Sequence, residues 1–256
     1  HHHGVRHMFP SKEEREHRNG ALPEILRQKG YATGVVTDFA GDVFSRMNIG
    51  FEKIVGPYFN FFTILKQRSL EMHYFLLPYI TNSVGRKFFP VLKEFAHNAD
   101  PFLLAEETKM VLRKFGKKEK FFVLVFFSTT HFPYAAPYPY YQMYTQPTYE
   151  GRYKYHKPPS IYEKENLSHE DIVQIRGLYD GAVRSVDEAI GEIIRFLKER
   201  KLFEKTIIVV TADHGENLYE NGWGIGHGEH LRGDNVVSVP LIIYNPFRNY
   251  QKQFIN

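Results

Sequence analysis

Residues 211–234 read TADHGENLYENGWGIGHGEHLRGD. Asp213 beside His214 offers a hard oxygen and an imidazole nitrogen, a donor pair that can converge on a divalent cation. His227 and His230 follow among glycines 222, 224, 226 and 228, whose backbone freedom lets a chain fold closely around a bound ion. Glu216 and Glu229 are the carboxylates suited to orienting ligand histidines from behind, and His230 reads either as a group of that kind or as a solvated turn residue. Two donors do not make a metal site. An Asp-His pair at a strand end is also an ordinary turn, so the motif needs a scaffold before it means anything.

The scaffold is written in apolar runs. YATGVVTDF, KFFVLVFFST, TIIVVTA and VPLIIY read as four buried strands, the first three followed by segments that can return the chain. A short helix is expected over residues 21–29, capped by Asn19, admitting Pro23 in its first turn and stopped by Gly30. Ser168 with Asp171 three residues on gives a capping signal. Ile172, Ile175, Tyr179, Ala182, Val186, Ile190, Ile193 and Leu197 then keep helical spacing. Strands alternating with helices imply an α/β fold with a mostly parallel sheet, in which ligand sites gather at the carboxyl ends of strands. Asp213 and His214 stand at such an end.

Between these elements, residues 57–116 read as a helical, aromatic-rich insertion broken at Pro78, Pro90 and Pro101. Its aromatic residues read as a core or lid helix, with an interfacial membrane patch as the other reading. Residues 131–160, rich in proline and tyrosine, read as a long surface loop, whose tyrosines either pack that loop or line a cleft. No repeat or domain boundary interrupts the 256 residues, which are expected to form one domain.

Composition narrows the classes. With 43% hydrophobic and 24% charged residues and a net charge of +4, the chain is globular, and no basic stripe is present to follow nucleic-acid phosphates. The absence of cysteine removes disulfides, thiolate metal sites and a cysteine nucleophile within this span. No run reaches the roughly 18 apolar residues of a membrane span. HHHGVRHMFP lacks the apolar core of a signal peptide, and His1 to His3 read either as a tag remnant or as native sequence.

TIIVVTADHGENLYENGWGIGHGEHLRGDNVVSVPLIIY, together with the preceding YDGAVRSVDEAIGEIIRFLKERKLFEKT, the STTHFPYAAPYPYY loop and LPEILRQKGYATGVVTDFAGDVFSRMNIGF, resembles the C-terminal catalytic block of the sulfatases within the alkaline phosphatase superfamily. The resemblance implies a three-layer sandwich with a mostly parallel central sheet between helices. It implies that Asp213 and His214 are metal ligands, and that His131 touches the transferred sulfate or phosphate group. His227 takes a position that holds a substrate-contacting cation in some branches and a second metal ligand in others. The implied cofactor is one divalent metal ion, with calcium, magnesium, manganese and zinc undistinguished and a second metal allowed by the pattern.

In the family, two further acidic ligands and the nucleophile precede a His-Gly matched here by His3 and Gly4. The chain is therefore expected to lack its first strand and nucleophile helix and to be inactive alone. Arg6, close behind, is expected either to help bind the anion or to be a surface residue. The pattern also departs from the family: typical sulfatases carry Gly-Lys-Trp-His where this chain has TDFAGDVF, and Asp38 and Asp42 do not replace an anion-gripping cation.

The leading expectation is a metal-dependent sulfuric ester hydrolase acting on a small-molecule, glycan or lipid ester, outside the cytoplasm. The alternatives are a phosphoethanolamine or phosphoglycerol transferase, to which DHGENLYENGWGIGHG is also similar, and a noncatalytic binding domain on the same fold. No nucleic-acid partner is expected, and membrane association only through segments outside this chain.

Overall fold

The computed structural model describes residues 20–41, 43–47, 49–56, 99–116, 120–155, 167–220, 225–226 and 234–248. The expected cap Asn19, most of the insertion (residues 57–98), and the site candidates Arg6, His227, Glu229 and His230 lie outside them. The chain is α/β. Helix α1 (Leu22–Gln28) has Pro23 in its first turn and ends before Gly30 at φ 82°, and leads into β1 (Ala32–Thr37), buried along its whole length. A 3-10 turn (Phe39–Gly41) and helix α2 (Val43–Arg46) return the chain to β2 (Lys53–Val55). Helix α3 (Pro101–Phe115) then precedes β3 (Phe121–Phe126).

These strands form a three-stranded parallel sheet in the order β2-β1-β3, with Val36 opposite Val55 on one side and Val125 on the other. All three therefore deliver their carboxyl ends to one edge. Beneath them, Ala32, Val36, Leu104, Val111 and Phe115 make a core between β1 and α3. Asp100 caps α3 by accepting from the Phe102 and Leu103 amides, so Pro101, expected as a break, instead occupies the first helical turn, where a missing N–H costs nothing.

Helix α4 (His169–Glu199) starts with a complete capping box between Ser168 and Asp171, as its sequence signal requires. It packs on α3 through Phe196 and Leu197 against Leu112, and Lys109 of α3 pairs with Glu192 at 2.8 Å. Its other half carries the tyrosine-rich loop. Gln174 accepts from the Gln146 amide and donates to the Lys154 carbonyl, and Tyr149 donates to Asp171. The loop backbone lies in a notch cut by two glycines one turn apart: a Cβ on Gly177 would stand 2.4 Å from the Tyr144 carbonyl oxygen, and one on Gly181 2.3 Å from that of Tyr140. Tyr134, Tyr149 and Tyr153 are buried against Ile175 and Leu178, so these tyrosines pack the loop, while Tyr138, Tyr144 and Tyr155 are exposed.

After a 3-10 turn (Phe203–Lys205), β4 (Ile208–Thr211) pairs with β7 (Leu241–Tyr244). Between them lie β5 (Asn217–Leu218), β6 (Ile225–Gly226) and helix α5 (Asp234–Val237). Two details depart from the sequence reading. The β4 and β7 strands run antiparallel to each other rather than joining the parallel set. Nor are they buried along their length: Val209, Leu241, Ile242 and Ile243 are each more than half exposed, while Ile208 packs on the Leu112, Phe196 and Leu197 cluster and Tyr244 stacks on Phe203. An apolar run signals a strand that needs a cover without supplying it.

The glycine notch yields a paired prediction. Gly181→Ala should destabilise by about 1–3 kcal/mol, since the new methyl meets a loop carbonyl that cannot move alone. Gly191→Ala, on the same helix with nothing within 4 Å of its Cβ position, should stabilise by about 1 kcal/mol through helix propensity. Denaturant unfolding of both variants checks the contrast; equal effects would remove the notch.

Candidate active site

The polypeptide turns sharply at the ends of β3 and β4, and both turns carry a histidine set in the same way. His131 Nδ1 lies 2.7 Å from the Phe132 carbonyl oxygen, and His214 Nδ1 lies 2.8 Å from that of Gly215. A carbonyl can only accept, so each ring carries its proton on Nδ1 and, when neutral, presents its lone pair at Nε2.

In the second turn, Asp213 Oδ1 accepts from the His214 amide at 3.1 Å, and Asp213 Oδ2 lies 3.7 Å from His214 Nε2. Two donors on one cation, each at about 2.0–2.2 Å, stand roughly 3–3.6 Å apart, so the pair fits a shared divalent ion after a slight side-chain rotation. Both side chains reach solvent, Asp213 at 61% and His214 at 36% exposure. Among the described residues no group of three His, Asp or Glu side chains converges on one point. Gly215 fixes where this turn sits: its amide donates to the Val236 carbonyl at 2.8 Å, and a Cβ there would fall 1.8 Å from the Asn235 carbonyl oxygen. Only glycine lets the turn lie this close on α5.

One hydrogen bond joins the two turns. The Tyr134 hydroxyl donates to Glu216 Oε1 at 2.5 Å, linking the third residue after His131 to the second after His214. Tyr134 is fully buried, at φ 57°, with its ring edge-on to Tyr179 of α4. Burial first, and then the charge of Glu216, hold its pKa well above the ordinary phenol value. It therefore stays a donor throughout the working pH range. Glu216, expected to orient a ligand histidine, accepts from the loop that carries His131.

A third strand end reaches His131 from below. Asp38, directly after β1, is buried and accepts from the Ser128 amide through Oδ2 at 3.1 Å. Asp38 Oδ1 and Ser128 Oγ are buried and make no hydrogen bond among the described residues. Desolvation raises the Asp38 pKa from 3.8 to about 6, although Ser128 and nearby backbone amides oppose the rise. The Phe39 ring meets the His131 ring edge-on at 5.6 Å.

Of the candidates, then, His131, Asp213, His214 and Glu216 belong to turns that are bonded together, while His227, His230, Glu229 and Arg6 are not among the described residues. The sequence reading missed Tyr134, which looked like one tyrosine among many, and the burial of Asp38. An acidic residue closing an otherwise apolar strand was the available signal for the latter.

A family model described as Sulfatase matches residues 1–254; the chain belongs to the sulfatase family. It is 29% identical over 158 residues to the ulvan-active sulfatase of Formosa agariphila, covering 59% of this chain and 28% of that protein. To the phosphoethanolamine transferase EptA of Salmonella typhimurium it is 31% identical over 115 residues, 42% of this chain and 20% of the other. The chain thus spans less than a third of the length of these curated relatives. The phosphonate monoester hydrolase of Agrobacterium radiobacter superposes with a TM-score of 0.59 at 22% identity, covering 88% of this chain and 52% of that one, which bears out the expected fold.

The Asp38 carboxyl makes a pH prediction. Its folded pKa lies above its unfolded one, so its contribution to stability is present below about pH 4 and is lost as pH rises through 6. At about 1.4 kcal/mol per pKa unit the loss is about 3 kcal/mol. Asp38→Asn keeps an acceptor for the Ser128 amide without the charge, so its stability relative to wild type should climb by about that amount between pH 4 and pH 8. Urea unfolding of both proteins across this range is the check, and a flat difference would show that Asp38 is not desolvated.

Tyr134→Phe should cost about 1–3 kcal/mol, because it removes the donor from a partly buried carboxylate. It should also increase hydrogen exchange at the amides of both turns together. Loosening confined to one turn would show that the bond does not couple them.

Proposed function

We propose that the protein of which this chain forms part is a metal-dependent hydrolase of sulfate esters. The observation that carries the reading is the Tyr134–Glu216 hydrogen bond, which ties the turn bearing His131 to the turn bearing Asp213 and His214. Asp213 and His214 hold the divalent metal, and the nucleophile and remaining ligands belong to residues other than those described. Bound there, the metal would act as a Lewis acid on a nonbridging oxygen of the ester. As the imidazolium, with Nδ1–H committed to the Phe132 carbonyl, His131 donates Nε2–H to the transferred group and gives that proton to the ester oxygen as it departs. His227 is assigned to the same anion or to a second metal, and Arg6 to the anion.

Family membership supports ester cleavage in general. The substrate is proposed to be a glycan or other small sulfated ester, in keeping with an ulvan-active relative, and the place of action to be outside the cytoplasm. A second reading, phosphoryl transfer, is favoured by the phosphoethanolamine transferase relative. Either ester class would use Asp213, His214 and His131 in the same roles. A noncatalytic binding domain would need no such set of bonded turns.

In the intact protein, Asp213→Ala should lose divalent metal per folded molecule, read by elemental analysis, together with the thermal stabilisation that added metal gives wild type. Unchanged metal content would remove its assigned role. His131→Ala should lower kcat/KM on 4-nitrophenyl sulfate about a hundredfold or more while changing stability by only about 1 kcal/mol. Preferential turnover of a 4-nitrophenyl phosphonate or phosphate ester by wild type would move the assignment to the phosphoryl reading.

A further inference from the structure

Asp38 is an expensive residue in its position. It is 4% exposed, and one carboxylate oxygen and the adjacent Ser128 hydroxyl lie buried with no partner among the described residues. An apolar side chain of the same shape would avoid the burial cost but would leave the Ser128 N–H without its acceptor. A local cost of this kind is kept where the surrounding structure uses it.

What Asp38 holds is the underside of the His131 turn. Ser128 donates its amide to Asp38 Oδ2 at 3.1 Å, and the Ser128 carbonyl accepts from the His131 amide at 3.0 Å. Thr129 fastens the same turn from another side by donating to the Ala99 carbonyl at 3.2 Å. On its own strand end, the Asp38 carbonyl accepts from the Gly41 amide, closing the 3-10 turn that aims Phe39 at the His131 ring. That turn folds tightly onto β1: a Cβ on Gly41 would stand 1.6 Å from Thr37 Oγ1. Two routes therefore run from the end of β1 to His131, one through backbone hydrogen bonds and one through an aromatic edge.

We propose that Asp38 and Phe39 are positioning residues for His131, fixing the height and tilt of its imidazole at the carboxyl edge of the parallel sheet. The inference rests on the assignment of His131 to the transferred group. It also gives the TDFAGDVF segment a use that does not require an acid to bind an anion: Asp38 faces the Ser128 amide and supports the histidine from beneath. Small displacements of a reacting group reduce turnover much more than they reduce binding.

The test uses the intact, metal-loaded protein and 4-nitrophenyl sulfate, with a 4-nitrophenyl phosphonate in parallel. Asp38→Leu keeps the branched shape and removes the acceptor. It should lower kcat about tenfold or more, leave KM within about threefold, and shift the His131 ring signal in spectra of histidine-labelled protein. Asp38→Asn, which retains an oxygen for the Ser128 amide, should recover most of kcat and return the signal to its wild-type position. A folded Asp38→Leu variant with wild-type kcat and an unmoved His131 signal overturns the proposal, as does equal loss in the Leu and Asn variants.

If Asp38→Leu does not fold, Phe39→Leu removes the edge contact without touching a hydrogen bond and carries the same expectation for kcat and the His131 signal; no change in either overturns it. Should wild type cleave neither ester, the functional reading fails while the His131 signal still decides the positioning.

Discussion

A tyrosine hydroxyl buried inside a protein must find an acceptor, and Tyr134 finds Glu216. This single requirement brings two distant parts of the chain to one place. The Phe132–Tyr134 stretch cannot relax away from Glu216 without leaving a buried phenol unpaired, and Glu216 is two residues from the proposed metal pair. The bond is local, but α4 makes it stiff. Tyr179 packs edge-on against Tyr134, and Arg176 donates to the Leu218 carbonyl just beyond Glu216. The long helix thus clamps both turns from the same side, and its capping box and length serve the site as well as the core.

The two histidines are held alike, each with Nδ1 at the carbonyl of the following residue. An imidazole that is to act through Nε2 must have Nδ1 occupied, and the carbonyl of the following residue is the shortest available acceptor. The chain reaches this with different means: a turn over the Phe132 carbonyl in one case, and in the other a glycine whose amide is bound to Val236. Backbone contacts place the His214 turn, whereas the His131 turn is also held by the Asp38 carboxylate and the Tyr134 hydroxyl.

Much of this was legible in the sequence, and the division follows range. The α4 helix could be read because periodicity and capping are encoded within a few residues, and β1 because its apolar run is buried as such a run should be. The Asp-His pair could be placed at a strand end by the same local logic. Tyr134 could not be singled out from a segment so rich in tyrosine, since its partner lies 82 positions away and no local pattern encodes it. The exposure of β4 and β7 was illegible for the opposite reason: their residues specify a buried strand correctly, and burial depends on what lies opposite. Glu216 was legible as a carboxylate near the histidines, but which histidine-bearing turn it serves is a matter of tertiary approach.

Asp38 shows why a departure from a family pattern has to be argued from its surroundings. Charge alone would set a carboxylate against an anionic ester. In this fold the carboxyl is buried, one oxygen is taken by the Ser128 amide, and its pKa is lifted to about 6 by desolvation. The binding of the ester's charge would then come from other groups, the roles proposed above for the His131 ring and for a metal at Asp213 and His214. The same carboxyl, turned inward, becomes a strut. A lysine in this position would offer the Ser128 amide no acceptor, so support of the His131 turn from this strand end requires a side chain that accepts.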